Sequence, residues 1–159
     1  MIHDAGLAVL VVTHETKEPL LRLLDSLRAD PAHGEWDVLV LDNESSDGTL
    51  TAVRERHPWV RAVRNAPQCG YAAAVNQGVA LTTAPLIVTL NPDTIVPPGT
   101  LGRLATALLG EDDIAAVAPL IRYPDGRTQR QGLHRPSPYT AAVVLLGLAR
   151  VPLFRRELG

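Results

Sequence analysis

Three short polar clusters each follow directly on an apolar run: Thr13-His14-Glu15 after residues 7–12, Asp42-Asn43-Glu44 after 37–41, and Asn91-Pro92-Asp93 after 86–90. Carboxylates and amides recognise N–H and hydroxyl groups, and carboxylate oxygen is a natural ligand of a hard cation. Asp93, just beyond a buried run, suits the cation role. The sequence contains no Gly-x-x-x-x-Gly-Lys, which excludes a P-loop, and no Gly-x-Gly-x-x-Gly after the first apolar run, which argues against a dinucleotide fold. A phosphate-bearing ligand would therefore need another counter-charge, and a carboxylate-held cation is the simplest supply.

The elements that must position these clusters are legible from periodicity. Leu7 to Val12, Asp37 to Leu41 and Leu86 to Leu90 have the length and branching of strands buried on both faces. Val60 to Val63 reads as a short strand and Ile114 to Pro119 as a fifth. Between them fall helical stripes: Leu20, Leu23, Leu24 and Leu27 with Pro19 near the start; Leu50 and Val53 after the turn-and-cap sequence Ser45-Ser46-Asp47-Gly48-Thr49; the Ala-rich Tyr71 to Leu81; and Leu101, Leu104 and Leu108. This alternation predicts a three-layer α/β/α domain with a mainly parallel sheet. In such sheets ligands bind beyond the carboxyl ends of the strands, so the three polar clusters converge on one rim if their strands are neighbours.

Four segments then carry a resemblance: Val11-Val12-Thr13-His14, Leu41 to Thr49 (LDNESSDGT), Gly70 to Gly78 (GYAAAVNQG) and Leu90 to Thr94 (LNPDT), in this order. Together they resemble family 2 glycosyltransferases of GT-A fold, especially the rhamnosyltransferase-like branch, over about residues 6–135. The resemblance implies that Thr13 and Glu15 line the base and ribose pocket and that Asp42 hydrogen-bonds a pyrimidine, with His14 a further candidate for donor contact. It implies that Gly70, Tyr71 and Asn76 shape the nucleotide and sugar pocket. Asp93 would hold Mn²⁺ or Mg²⁺ against the diphosphate, with Asn91 standing where many members carry a further Asp. The implied reaction is sugar transfer with inversion, from a nucleoside-diphosphate sugar such as dTDP-rhamnose or a UDP-sugar to a saccharide or lipid-linked acceptor. Family members usually continue into an acceptor-binding region that supplies the general base. The expected organisation here is a nucleotide-sugar-binding subdomain over 1–121, with 122–159 as the start of an incomplete acceptor region: an Arg/Pro-rich loop, then a short apolar helix over 139–148. A binding-only module or truncated inactive transferase, and a sugar nucleotidyltransferase, are the competing readings.

Several residues have structural readings beside these. Asp42 serves equally as a cap, Asp47 as an N-terminal helix charge, Asn76 as a surface amide, Gly70 and Gly78 as helix-end residues, His14 as a partly buried rim residue, and Trp36 and Trp59 as packing before strands. Composition narrows the setting. With 159 residues and net charge -2, the chain gives no reason to expect nucleic-acid binding. Cys69 is the single cysteine, which excludes an internal disulfide framework and is expected to fill space. The first residues lack a signal-peptide pattern and the longest apolar stretch, 141–149, is far short of a spanning helix, so the cytoplasm is the expected compartment. Residues 122–159 carry 7 Arg against only Asp125 and Glu157, a bias that fits peripheral contact of 122–156 with an anionic membrane surface. Uncovered sheet edge and apolar surface in so short a chain predict self-association.

Overall fold

The computed structural model describes residues 6–129. Contacts divide the chain into two compact units, Met1–Ala115 and Ala116–Gly159. In chain order the first contains β1 (Leu7–Thr13), α1 (Lys17–Arg28), a 3-10 turn (Pro31–Glu35), β2 (Trp36–Asp42), α2 (Thr49–Arg56), β3 (Arg61–Arg64), α3 (Tyr71–Ala80), β4 (Leu86–Leu90) and α4 (Thr100–Leu109). The four strands are parallel in the order β3-β2-β1-β4. The three strands that carry the polar clusters are therefore adjacent.

Two-sided burial explains why β1 is apolar over residues 7–12 and β2 over residues 38–41. Side chains alternate across a sheet, and here both faces are covered. Val9, Val11, Val38 and Val40 pack with Leu20, Leu23, Leu24 and Leu27 of α1, Val53 of α2 and Leu101 of α4. On the opposite face α3 lies against β1 and β2, with Gly78 directly over Leu10 and Leu41. The result is the expected three-layer α/β/α arrangement. Each fully buried leucine contributes about 1.5–3 kcal/mol relative to an exposed one.

The helix starts follow the sequence. Pro19 occupies the third position of α1, where its missing N–H has no intrahelical partner to lose. At α2 the left-handed turn falls on Gly48, with φ 79°, and the Asp47 carboxylate accepts from the Thr49 N–H at 2.9 Å. Trp36 opens β2, and both Trp36 and Trp59 pack against the core.

Two expectations change. Residues 114–119 form no strand; the apolar run is present, but a strand exists only where a neighbour completes its ladder, and none pairs with it among the described residues. Gly78 is not a helix-end residue: it is buried inside α3, where a Cβ would stand 2.7 Å from Leu41 Cδ1, so its role is close approach of helix to sheet. In the second unit, residues 116–129 contain an antiparallel bridge between Arg122 and Thr128 around Gly126, whose φ is 83°. The apolar segment 139–148 and most of the Arg-rich stretch lie outside the described residues.

Candidate functional site at the carboxyl rim of the sheet

Thr13 and Asp42 are register partners at the ends of β1 and β2, and Leu90 at the end of β4 pairs with Val11. The three loops that follow therefore leave one rim. The chain turns sharply there: Glu15 and Glu44 both adopt positive φ, 52° and 66°. Left-handed conformations at non-glycine residues cost on the order of 1–3 kcal/mol and collect at functional sites. Each of these glutamates is held by its carboxylate. Glu15 Oε1 accepts from the Ser46 N–H at 2.6 Å, and Glu44 Oε2 from the Gln68 N–H at 3.1 Å. The Glu15 N–H in turn donates to Ser45 Oγ at 3.0 Å.

Asp42 is the most constrained acid of the rim. It is 0% exposed, yet among the described residues only Oδ2 has a partner, the Ser45 N–H at 3.2 Å, and Oδ1 is buried with none. An orphaned buried acceptor costs about 1–3 kcal/mol, so Oδ1 is an open demand for a donor. Beside it Thr13 Oγ1 and Thr16 Oγ1 share a hydrogen bond of 2.6 Å. His14 is exposed, contrary to the part-buried expectation, and its Nδ1 lies 2.8 Å from the Asn43 carbonyl. A carbonyl only accepts, so Nδ1 carries the proton and donates.

Asp93 and Asn91 sit in a turn closed by the Thr94 N–H donating to the Asn91 carbonyl at 3.2 Å. Both side chains are exposed, and neither has a side-chain hydrogen bond among the described residues. No group of three His, Cys, Asp or Glu able to hold a metal exists among the described residues. A cation beside Asp93 and the Asn91 amide oxygen would need further oxygens from a bound phosphate, as Mg²⁺ sites commonly use. Rim electrostatics point the same way. Among the described residues at the strand ends and the loops that follow them, Glu15, Asp42, Glu44, Asp47 and Asp93 outnumber the basic Lys17 and Arg64, so a polyphosphate there needs added positive charge. Asp47 is used structurally. Slight burial opposes its ionisation, but hydrogen bonds from the Thr49 side chain and backbone and from the Lys17 N–H outweigh this and hold its pKa below the ordinary value.

Gly70 caps α3 at φ -65° and ψ 155° with no side-chain bond, and Tyr71 is 52% exposed as the first helical residue. Asn76 is exposed a turn and a half further along α3, beyond the hydrogen-bonded rim cluster. A buried amide network was not anticipated. Asn43 and Asn65, each 5% exposed, bond to one another and to Cys69. The available signal was an amide placed directly after each of two strands. A concavity of about 280 Å³, lined by Leu7, Asp30, Trp36, Leu86 and Gly99, lies at the amino ends of the strands, away from this rim.

Comparisons with known proteins agree with this architecture. The family model for glycosyl transferase family 2 matches residues 8–155. N-acetylglucosaminyl-diphospho-decaprenol L-rhamnosyltransferase of Mycobacterium tuberculosis is 32% identical over 142 residues, covering 82% of this chain and 46% of that protein. The chain thus spans about half the length of that relative. Among solved structures, the mannosyltransferase PcManGT of Pyrobaculum calidifontis, in complex with GDP-Man and Mn²⁺, superposes with a TM-score of 0.66 at 26% identity, over 76% of this chain and 36% of that one. S. aureus TarS residues 1–349 share the fold at a TM-score of 0.59 and 21% identity, over 65% of this chain and 32% of that one. By family match, fold and the order of its rim motifs, the chain belongs to glycosyl transferase family 2.

Proposed function

We propose that this chain is the donor-binding part of a glycosyltransferase that moves a sugar from a pyrimidine nucleoside-diphosphate sugar, such as dTDP-rhamnose or a UDP-sugar, to a saccharide or lipid-linked acceptor with inversion. The observation that carries the reading is Asp42 at the carboxyl end of β2, whose Oδ1 has no hydrogen-bond partner among the described residues; since that atom is buried, the reading requires the rim loops to part as the base enters. The imide N–H of uracil or thymine is a donor of the required kind, and satisfying a charged acceptor is worth about 1.5–3 kcal/mol. Thr13, His14 and Glu15 flank this position on the first loop, and Gly70 with Tyr71 opens α3 with an uncapped N-terminus, a favourable place for phosphate. Asn76 continues that wall on the sugar side.

Asp93, assisted by the Asn91 amide oxygen, would hold Mn²⁺ or Mg²⁺. When bound, the ion neutralises charge developing on the departing nucleoside diphosphate. The nature of two relatives supports donor and acceptor classes: one is a rhamnosyltransferase named for a lipid-linked sugar, and one was solved with a nucleotide sugar and Mn²⁺. We also read the basic segment 122–156 as a contact for the anionic surface carrying a lipid-linked acceptor, at the cytoplasmic face, in cell-wall or polysaccharide assembly.

Calorimetric titration with UDP, dTDP and GDP, with and without Mn²⁺, tests the reading. One pyrimidine nucleotide is expected to bind with metal enhancement. Asp42→Asn should weaken it about tenfold to a hundredfold with or without metal. Asp93→Ala should remove the metal enhancement and spare metal-free binding. A folded protein that binds none of the three nucleotides would overturn it.

A further inference from the structure

We infer that Asn43 is a positioning residue: its side-chain amide locks the loop over residues 65–70 onto the ends of β1 and β2, and thereby fixes where α3 begins on the rim. The functional consequence rests on the donor-binding reading above; the lock itself does not.

Asn43 stands one residue beyond β2 and is 5% exposed. Every polar group it owns is committed, and the partners come from two separate segments, the end of β1 with the residue after it and the loop over 65–70. Its N–H donates to the Thr13 carbonyl at 2.8 Å, extending the β1–β2 ladder past the last strand residue. Its carbonyl accepts from His14 Nδ1 at 2.8 Å. Its side-chain Nδ2 donates to the Cys69 carbonyl at 2.7 Å, and its Oδ1 accepts from Asn65 Nδ2 at 3.0 Å. The Cys69 thiol lies 3.5 Å from the same Oδ1 and 3.5 Å from Asn65 Nδ2. The other end of the loop is pinned as well, by the Asn65 N–H donating to the Asp42 carbonyl at 2.8 Å.

The loop from Asn65 to Gly70 has no regular structure and its residues Ala66, Pro67 and Gln68 are exposed. Without the amide, the tethers that remain among the described residues are the Asn65 N–H bond and the exposed Glu44–Gln68 bond. A side-chain amide matches this place because it offers a donor to a carbonyl and an acceptor to an amide at once. Aspartate has the same shape but sets an oxygen against the Cys69 carbonyl, so Asn43→Asp should fail as Asn43→Ala does. Asn43 contacts no reacting atom; it acts through the start of α3, the wall on which Gly70 and Tyr71 stand.

Cys69, the single cysteine of the chain, reports the lock directly. Thiol labelling of the native protein with an aromatic disulfide is expected to be at least about tenfold slower than labelling of the urea-unfolded chain. Asn43→Ala and Asn43→Asp should each accelerate native labelling about tenfold to a hundredfold, the effect of losing one to two hydrogen bonds. Asn65→Ala, which leaves the Cys69 carbonyl bond intact, should accelerate it less. Val53→Ala, in the core between α1 and α2, supplies a control with comparable loss of thermal stability and unchanged labelling. UDP and dTDP affinity should fall in the Asn43 variants and stay unchanged in the Val53 control. Should the Asn43 variants not fold, the wild-type protection and the Asn65 variant still decide. Labelling unchanged in Asn43→Ala, or wild-type labelling as fast as in the unfolded chain, would overturn the lock. Accelerated labelling with no nucleotide binding in any variant would leave the lock standing and remove the donor-binding reading alone.

Discussion

At the scale of single residues, the rim and the core use the same device, a side chain whose neighbours leave it one role. Gly78 is the clearest core case. A Cβ there would meet Leu41 Cδ1 at 2.7 Å and the two Leu10 Cδ atoms at 3.1 and 3.2 Å. Those leucines are 0% and 1% exposed and have nowhere to move. Alanine would gain about 1 kcal/mol in helix propensity against about 1–3 kcal/mol of overpacking. We expect Gly78→Ala to lose up to about 2 kcal/mol in urea denaturation, with α3 loosened from the sheet.

His57 offers a pH test. It is 1% exposed between α1 and Trp59, and Asp25 Oδ1 stands 3.5 Å from its Nε2 without making a hydrogen bond. Burial lowers its pKa below the ordinary 6.5; Asp25 pulls it upward, while Arg56 and Arg28 add to the lowering. The unfolded chain therefore takes up a proton that the folded chain resists. Stability from this group is full above pH 6.5 and falls as pH drops through the folded value. Urea midpoints should decline on acidification in the wild type, and His57→Leu should flatten that decline. A parallel decline in both proteins would count against this assignment.

At the scale of elements, one acid ties together pieces distant in sequence. Asp30 Oδ1 caps the 3-10 turn through the Ala32 N–H at 3.0 Å, and Oδ2 accepts from the Gly99 N–H at 2.6 Å, at the start of α4. The segment between β4 and α4 is fastened a second time where the Val96 N–H donates to Ser26 Oγ at 3.1 Å. This segment begins with Asn91 and Asp93, so fastening it to α1 holds the outer side of the rim. Asp30→Ala should cost about 2–3 kcal/mol, from two lost bonds to a buried charge. Faster amide exchange at Gly99 to Leu101 is the local sign to look for; unchanged exchange there would show that α4 is held by packing alone.

At the scale of the whole molecule, charge is distributed unevenly along the chain. Residues 122–159 hold 7 of the 15 basic residues and 2 of the 17 acids. No helix among the described residues is long and apolar enough to cross a membrane. Sedimentation with anionic vesicles should show binding at low salt that weakens as salt is raised, about 1 kcal/mol per basic residue near the surface. Absence of binding at low salt would dispose of the membrane contact.

The strands, their parallel sense and the helices between them were legible in the sequence because periodicity and burial on both faces leave a direct mark on residue choice. The rim acids were legible for a related reason: polar residues at the end of an apolar run stand where a sheet ends and a loop begins. Three-dimensional packing alone decided what each polar residue does. Nothing in the order of residues says that Asp42 keeps one oxygen without a partner among the described residues while both Asp47 oxygens accept bonds, or that Glu15 and Glu44 turn through positive φ. The bonds joining Asn43 to Asn65 and Cys69 span 22 and 26 residues, beyond the reach of any local pattern. The fate of 114–119 has the same origin: an apolar run carries the propensity for a strand, and only a neighbour's unpaired backbone turns that propensity into one.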